Sequence, residues 1–170
     1  NHGWLVGDER EVRVVDAAHD AEAILAAVGG RRVVAVVCSH AHSDHVNAVG
    51  GVLAATGATA YLHPDDRVLW DQTQPEPPGG ELAEGQVFAV GDVELTVLHT
   101  PGHAPGAVCL YAPALHVLFS GDTLFNGGPG ATGRSFSDFP TIIDSIRTRL
   151  LDLPADTVVH TGHGDSTTLA

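Results

Sequence analysis

The sequence predicts an α/β fold. Short β-branched runs alternate with segments of helical period along the chain. Histidine and aspartate collect immediately after several of the strand-like runs. Loops at strand ends are where α/β proteins gather functional groups. The length of 170 residues fits one domain spanning 1–170. A domain of that size buries roughly 70% of the surface its unfolded chain exposes, enough for a core without disulfide staples.

Taken in order, WLVGD and EVRVVDA read as short strands. Residues 20–28 read as a helix, stopped by Gly29-Gly30. RRVVAVVCS is a continuous β-branched run, the pattern of a strand buried on both faces. SHAHSDH then falls in the loop at its end, and a helix over residues 46–56 follows, stopped by Gly57. ATAYLH reads as a strand, PDDRVLW as a short helix with Pro64 in its first turn, and TQPEPPGGE as a surface loop. GQVFAV and VELTVLH form a hairpin around Gly91-Asp92. AVCLYA and HVLFSGD are two more strands, and FNGGPGATGRS is a long glycine-rich loop. DFPTIIDSIRTRLLDL reads as an amphipathic helix with Asp138 as N-cap, and DTVVHTGHG as a last strand running into a loop.

Composition narrows the function classes. The formal net charge is −13, and all eight basic residues are arginine. Such a surface repels a polyphosphate backbone, so nucleic acid is excluded as a partner and a small-molecule substrate is expected. No apolar run reaches the ~18 residues that span a bilayer, so no membrane association is expected. Cys38 and Cys109 each lie in an apolar run, which reads as two buried free thiols and fits a reducing cytoplasm. Oligomeric state leaves no signature.

Eleven histidines in one domain is a high count, and their placement carries the chemistry. His40, His42, Asp44 and His45 fall within six residues. Imidazole is the commonest zinc-binding side chain, and carboxylate oxygen serves as well. These groups fan out only from an irregular loop. His40 and His42 can share one metal, while Asp44 and His45 turn toward a second. Later strand ends supply more donors: His103 in TPGHAPG, Asp122 in SGDTLF and His163 in TGHGD. Glycine beside a ligand lets the backbone approach a metal.

These motifs in this order resemble the metallo-β-lactamase superfamily, from Asp16 to the last ten residues. HTPGHAPGAVCLY and FSGDTLF resemble its glyoxalase-II-like branch most. The resemblance implies a four-layer αββα sandwich entered late in its first strand. It implies that His40, His42 and His103 hold one metal, that Asp44, His45 and His163 hold another, and that Asp122 bridges them. The expected cofactors are two divalent ions, zinc first, with iron and manganese as alternatives. A hydroxide held between two such ions would attack a carbonyl carbon, oriented by Asp44 as the catalytic carboxylate. A thioester suits this machinery, because a thiolate with a pKa near ~8.5 leaves with little protonation. Asp16 and His99 are expected to orient ligands. Arg134 and Phe125 are expected to line the substrate pocket, with Arg134 meeting a carboxylate or phosphate. Phe136 is a further candidate for that wall, and His2, His19 and His116 read as solvated.

Two features depart from the glyoxalase-II-like pattern. Val46-Asn47-Ala48-Val49 precedes Gly50-Gly51, and no lysine exists to meet a glutathione carboxylate. A mononuclear iron persulfide dioxygenase using His40, His103 and Asp122, a β-lactamase and a non-catalytic binding domain stay open as alternatives.

Overall fold

Two sheets pack face to face, each covered on its outer side by helices. The computed structural model describes residues 1–170. In the first sheet β1 (Trp4–Gly7), β2 (Glu11–Val15), β3 (Arg32–Val37), β4 (Thr59–Leu62) and β5 (Gly80–Glu81) lie in sequence order. β1 and β2 form an antiparallel pair, and the other neighbours run parallel. Between them come α1 (Ala21–Val28), α2 (Ser43–Val46), α3 (Val49–Thr56), a 3-10 turn at Pro64–Asp66 and α4 (Arg67–Trp70).

The second sheet is built from β6 (Val87–Val90), β7 (Val93–His99), β8 (Val108–Ala112), β9 (Val117–Gly121), β12 (Val158–Thr161) and β13 (Thr167–Thr168). Its order is β13-β12-β9-β8-β7-β6, and only β9 and β12 pair in parallel. A minimal hairpin, β10 (Leu124–Phe125) with β11 (Gly128–Pro129), opens the glycine-rich loop. Helix α5 (Phe139–Ser145) is capped by Asp138 and widens into a π-helical turn over Ile146–Leu150.

Three apolar layers follow from strand alternation. Val12, Val14, Val36 and Leu62 of the first sheet pack outward on Val28, Val49 and Val52 of α1 and α3. Val15, Ala35 and Val37 face Leu95, Val97, Val108 and Leu110 between the sheets. Cys109, Leu118 and Val159 on the far side pack on Ile142, Ile146 and Leu150. The chain therefore has the four-layer αββα arrangement. A register shift opposite Val12 and Arg13 leaves Val34 as an extra residue in β3. It puts Val33 on the outer face and Ala35 on the inner one. Both cysteines are free and buried, and no helix is long and apolar enough to cross a membrane.

Several local expectations are corrected. The helix expected over 46–56 breaks at Asn47-Ala48. Asn47 Oδ1 instead accepts the His19 amide at 2.5 Å, and the Ala48 amide donates to the Ala17 carbonyl at 3.0 Å. These tertiary bonds to the β2–α1 connection outcompete helix continuation. The preceding motif is not all loop, because α2 begins inside it at Ser43. The proline-rich loop ends in β5, where β4 offers a free edge. His2 is half-buried against Trp4 rather than solvated.

Leu110 sits in the inter-sheet layer at 1% exposure. Leu110→Ala should lower the unfolding free energy by roughly 2–5 kcal/mol. Urea unfolding of the metal-free protein measures this, and an unchanged midpoint would contradict the layer assignment.

Candidate metal centre

Five chain segments meet at one end of the two sheets. β3 delivers His40 and His42, and α2 follows directly with Asp44 and His45. The β7–β8 connection carries His103, Asp122 comes just after β9, and His163 just after β12. Strand order makes this convergence. The C-terminal ends of β2, β3 and β4 point one way in the first sheet, and those of parallel β9 and β12 reach the same end in the second.

Glycines permit the close approaches. A Cβ at Gly162 would collide with Asp122 Oδ1. Gly121, at φ 52°, brings the end of β9 against Ser39. Gly102, at φ 142°, lets the His103 loop lie on Ile142 of α5. That loop is also tied to α5 by Asp138 N–H on the Gly102 carbonyl at 2.8 Å and Ser145 Oγ–H on the Pro101 carbonyl at 2.7 Å.

Asp122 lies at the middle of the donor cluster. Its Oδ2 is 3.1 Å from His163 Nε2, 3.2 Å from His45 Nε2, 3.4 Å from His103 Nε2 and 3.7 Å from His40 Nε2. His42 Nδ1 lies 3.1 Å from His103 Nε2. Asp44 Oδ2 lies 3.7 Å from His163 Nε2 and 3.9 Å from His45 Nε2. Two donors bound tetrahedrally to one ion at ~2.1 Å are ~3.4 Å apart, so these spacings suit shared cations. His40, His42 and His103 form one group with donor atoms within 4.8 Å of one another, and Asp44, His45 and His163 form a second.

The hydrogen-bond network sets which ring nitrogens are available. A carbonyl only accepts, so His103 Nδ1 donates to Ala131 O at 2.7 Å and Nε2 keeps its lone pair. His45 Nδ1 donates to Asp16 Oδ2 at 3.0 Å. Ser39 Oγ–H donates to the same oxygen at 2.6 Å, which leaves Oγ to accept from His40 Nδ1 at 3.0 Å. Asp16 Oδ1 takes the Ser39 amide at 2.7 Å. Asp16 holds this position in a left-handed conformation, φ 59°, which aspartate tolerates better than most residues. His40 Nε2 and Asp122 Oδ1 are buried with no hydrogen-bond partner. Such orphans are costly, and a divalent cation fits both. The donor set therefore fits divalent metal.

The electrostatics point the same way. Burial pushes His40 well below the usual histidine range, and the neighbouring histidines add to the shift, so it is a neutral imidazole. Burial also opposes charge on His45 and Asp122, but the His103 and His45 rings beside Asp122, and Asp122 beside His45, outweigh it. With Asp16 contributing, His45 rises to about 10, and Asp122 falls well below the usual carboxylate range. In the absence of metal, a proton on His45 therefore supplies part of the missing positive charge. Asp44 also titrates low. Burial opposes this, but the Asn1 side-chain Nδ2–H donating to Oδ2 at 2.6 Å and the charge on His45 prevail.

A cavity of about 540 Å³ opens on the cluster. Beyond the donors its wall includes Leu69, Gln72, Thr73, Phe125, Ala131 and Arg134. The Arg134 backbone is pinned by Ser137, while its exposed guanidinium makes no hydrogen bond or ion pair within the chain. Phe136 does not line the cavity and is exposed.

His99 does not touch any of the seven donors. It continues the inward parity of Leu95 and Val97, stacks on His63 at 3.9 Å and donates from Nε2 to the Pro105 carbonyl at 3.1 Å. His99 thus braces the His103 loop through backbone and makes no hydrogen bond to a donor ring. His63, Asp65 and His99 also cluster, yet His63 Nδ1 and His99 Nε2 are both engaged with backbone.

Two supporting residues escaped the sequence reading. Ser39 relays Asp16 to His40, and Asp66, fully buried, accepts the Ala41 amide and the Gly106 amide, both at 2.6 Å. Neither has a spacing signature, because each works through backbone amides or through a neighbour.

An αββα sandwich that gathers histidines and carboxylates at one end of its sheets defines a metal-dependent hydrolase. The chain belongs to the metallo-beta-lactamase superfamily, whose family model matches residues 2–163. It is 28% identical to hydroxyacylglutathione hydrolase GloC of Haemophilus influenzae over 99% of this chain and 87% of that protein. Among solved structures it is similar to TTHA1623 in a di-iron-bound form, with TM-score 0.89 and 35% identity, covering 98% of this chain and 89% of that one. It is also similar to the BLEG-1 B3 metallo-beta-lactamase, with TM-score 0.88 and 30% identity, covering 98% and 88%.

The His45 shift has a signed consequence. Its folded value of about 10 lies above the ordinary histidine value of 6.5. The stabilisation is therefore fully present below pH 6.5 and is lost as pH rises through 10. Metal-free protein should show a falling Tm between pH 7 and 10, whereas zinc-loaded protein should lose much less. Thermal unfolding with chelator and with added zinc checks this, and parallel curves would contradict it.

Proposed function

We propose that the protein hydrolyses thioesters of a small thiol in the cavity beside Asp122. The observation that carries this reading is the convergence of six donors around a seventh, the buried carboxylate of Asp122, with two buried polar atoms left for a cation. In the proposed arrangement His40, His42 and His103 hold one divalent ion, and Asp44, His45 and His163 hold a second. Asp122 Oδ2 lies between the two sets. When bound, such ions supply Lewis acidity and a water acidic enough to ionise near neutral pH. Zinc is the first candidate, and iron is supported by the similarity to a di-iron protein.

The chain's own groups do the rest. Asp44 is ionised and faces the cavity, so it orients a nucleophilic water by accepting its hydrogen bond. Leu69 and Phe125 offer an apolar wall to the acyl group. Arg134 is the only basic side chain on the wall apart from the histidines, and its free guanidinium suits a carboxylate or phosphate on the carrier thiol. The wall carries no carboxyl group besides Asp44 and Asp122 to protonate a leaving group. That favours a thiolate, with a pKa near ~8.5, over an amide nitrogen. The likeness to GloC across nearly the whole chain supports the same substrate class. The two buried free thiols are consistent with a reducing cytoplasm as its location.

Steady-state assays of metal-loaded protein on a panel of acyl-thiols, with a β-lactam included, test the reading. Thioester turnover is expected. No turnover on any thioester, or β-lactam opening alone, would overturn it. On an anionic acyl-thiol, Arg134→Gln should raise KM by about 10–100-fold with a small change in kcat, the effect of losing a charge-assisted hydrogen bond. An unchanged KM would remove Arg134 from substrate binding.

A further inference from the structure

We infer that Asp66 is a positioning residue that preorganises one of the two metal positions and not the other. The inference rests on the two-metal reading above. Asp66 lies in the turn after β4, and its carboxylate is enclosed at 0% exposure. Oδ2 accepts the amide of Ala41, which sits between His40 and His42. Oδ1 accepts the amide of Gly106, three residues after His103. Both bonds are 2.6 Å, within the range of strong charge-assisted contacts. One carboxylate thereby joins the two loops that carry His40, His42 and His103. No bond from Asp66 reaches α2, Asp122 or His163.

The approach on the second side is tight. A Cβ on Gly106 would come within 2.5 Å of the Asp66 amide nitrogen and 2.7 Å of its Cβ. Glycine at 106 is therefore part of the same device. His99 braces the adjacent Pro105 carbonyl. Burial raises the Asp66 pKa, and the two amide bonds oppose that rise. Asp16 differs in reach. It bonds His45 directly and His40 through Ser39, so it touches both donor groups, whereas Asp66 touches one.

Asparagine is nearly isosteric but accepts on one side only, so Asp66→Asn leaves one amide facing an NH2 group. Support of this kind typically governs metal affinity by about 10–100-fold. The test is zinc affinity by chelator competition, without any turnover measurement. His163→Ala isolates the first position, and His42→Ala isolates the second. Adding Asp66→Asn should weaken zinc binding about 10–100-fold in the His163→Ala background and less than about threefold in the His42→Ala background. Gly106→Ala should reproduce this asymmetry from the other end of the bond. Equal losses in both backgrounds, or none in either, overturn the inference while leaving the two-metal reading intact. Wild-type protein that binds no zinc would sink that reading itself.

Should the variants not fold, amide exchange in metal-free wild type decides. The Ala41 and Gly106 amides should exchange as slowly as those of β3. Fast exchange that slows only when zinc is added would show that the metal, not Asp66, organises the loops.

Discussion

Everything at this centre depends on holding electron-rich groups together against their mutual repulsion. Four imidazole nitrogens lie within 3.7 Å of one carboxylate oxygen, with a second carboxylate close by. The lone pairs of the neutral imidazoles repel the carboxylates, an effect that the His45 proton offsets only in part, and each donor was well solvated in the unfolded chain. Burial of His40 Nε2 and Asp122 Oδ1 without partners adds a desolvation cost. Folding of the metal-free chain must bear these costs through the rest of the structure.

The scaffold meets that demand mainly with backbone hydrogen bonds. Parallel strands fix the directions of β3, β9 and β12, so the donor-bearing loops start from rigid points. Buried carboxylates then join loop to loop. Asp16 links the end of β2 to Ser39 and His45, and Asp66 links the β4 turn to both the His42 and His103 loops. α5 holds the His103 loop from the second sheet's outer face. A donor geometry secured before metal arrives reduces the ordering that binding would otherwise have to supply.

Much of the centre was legible because metal chemistry demands particular side chains. His40, His42, Asp44, His45, His103, Asp122 and His163 stand out by type, by adjacent glycine and by position after strand-like runs. The α/β order was equally plain from alternation and β-branching, and Gly29, Gly57 and Asp138 marked helix ends where the structure has them. Asp66 and Ser39 were not legible, because an acceptor for a backbone amide can be matched by any residue's N–H. The break at Asn47-Ala48 was hidden for a related reason, since the competing partners lie near His19, far back in sequence. The route by which His99 acts was not legible either, because strand parity turns its ring toward His63 and the Pro105 carbonyl.

Residue types and their order determined the architecture class and the donor inventory on their own. Apolar periodicity dictates which faces are buried, and only imidazole and carboxylate side chains suit such a cation cluster. Tertiary structure alone decided that the donors meet, which nitrogen of the His45 and His103 rings is available, and that Arg134 stays unpaired beside the cavity. Those outcomes hinge on distances between segments far apart in the chain, such as His45 and His163, 118 residues apart. Such separations are set by sheet pairing and loop-to-loop bonds, which leave no local trace in the sequence.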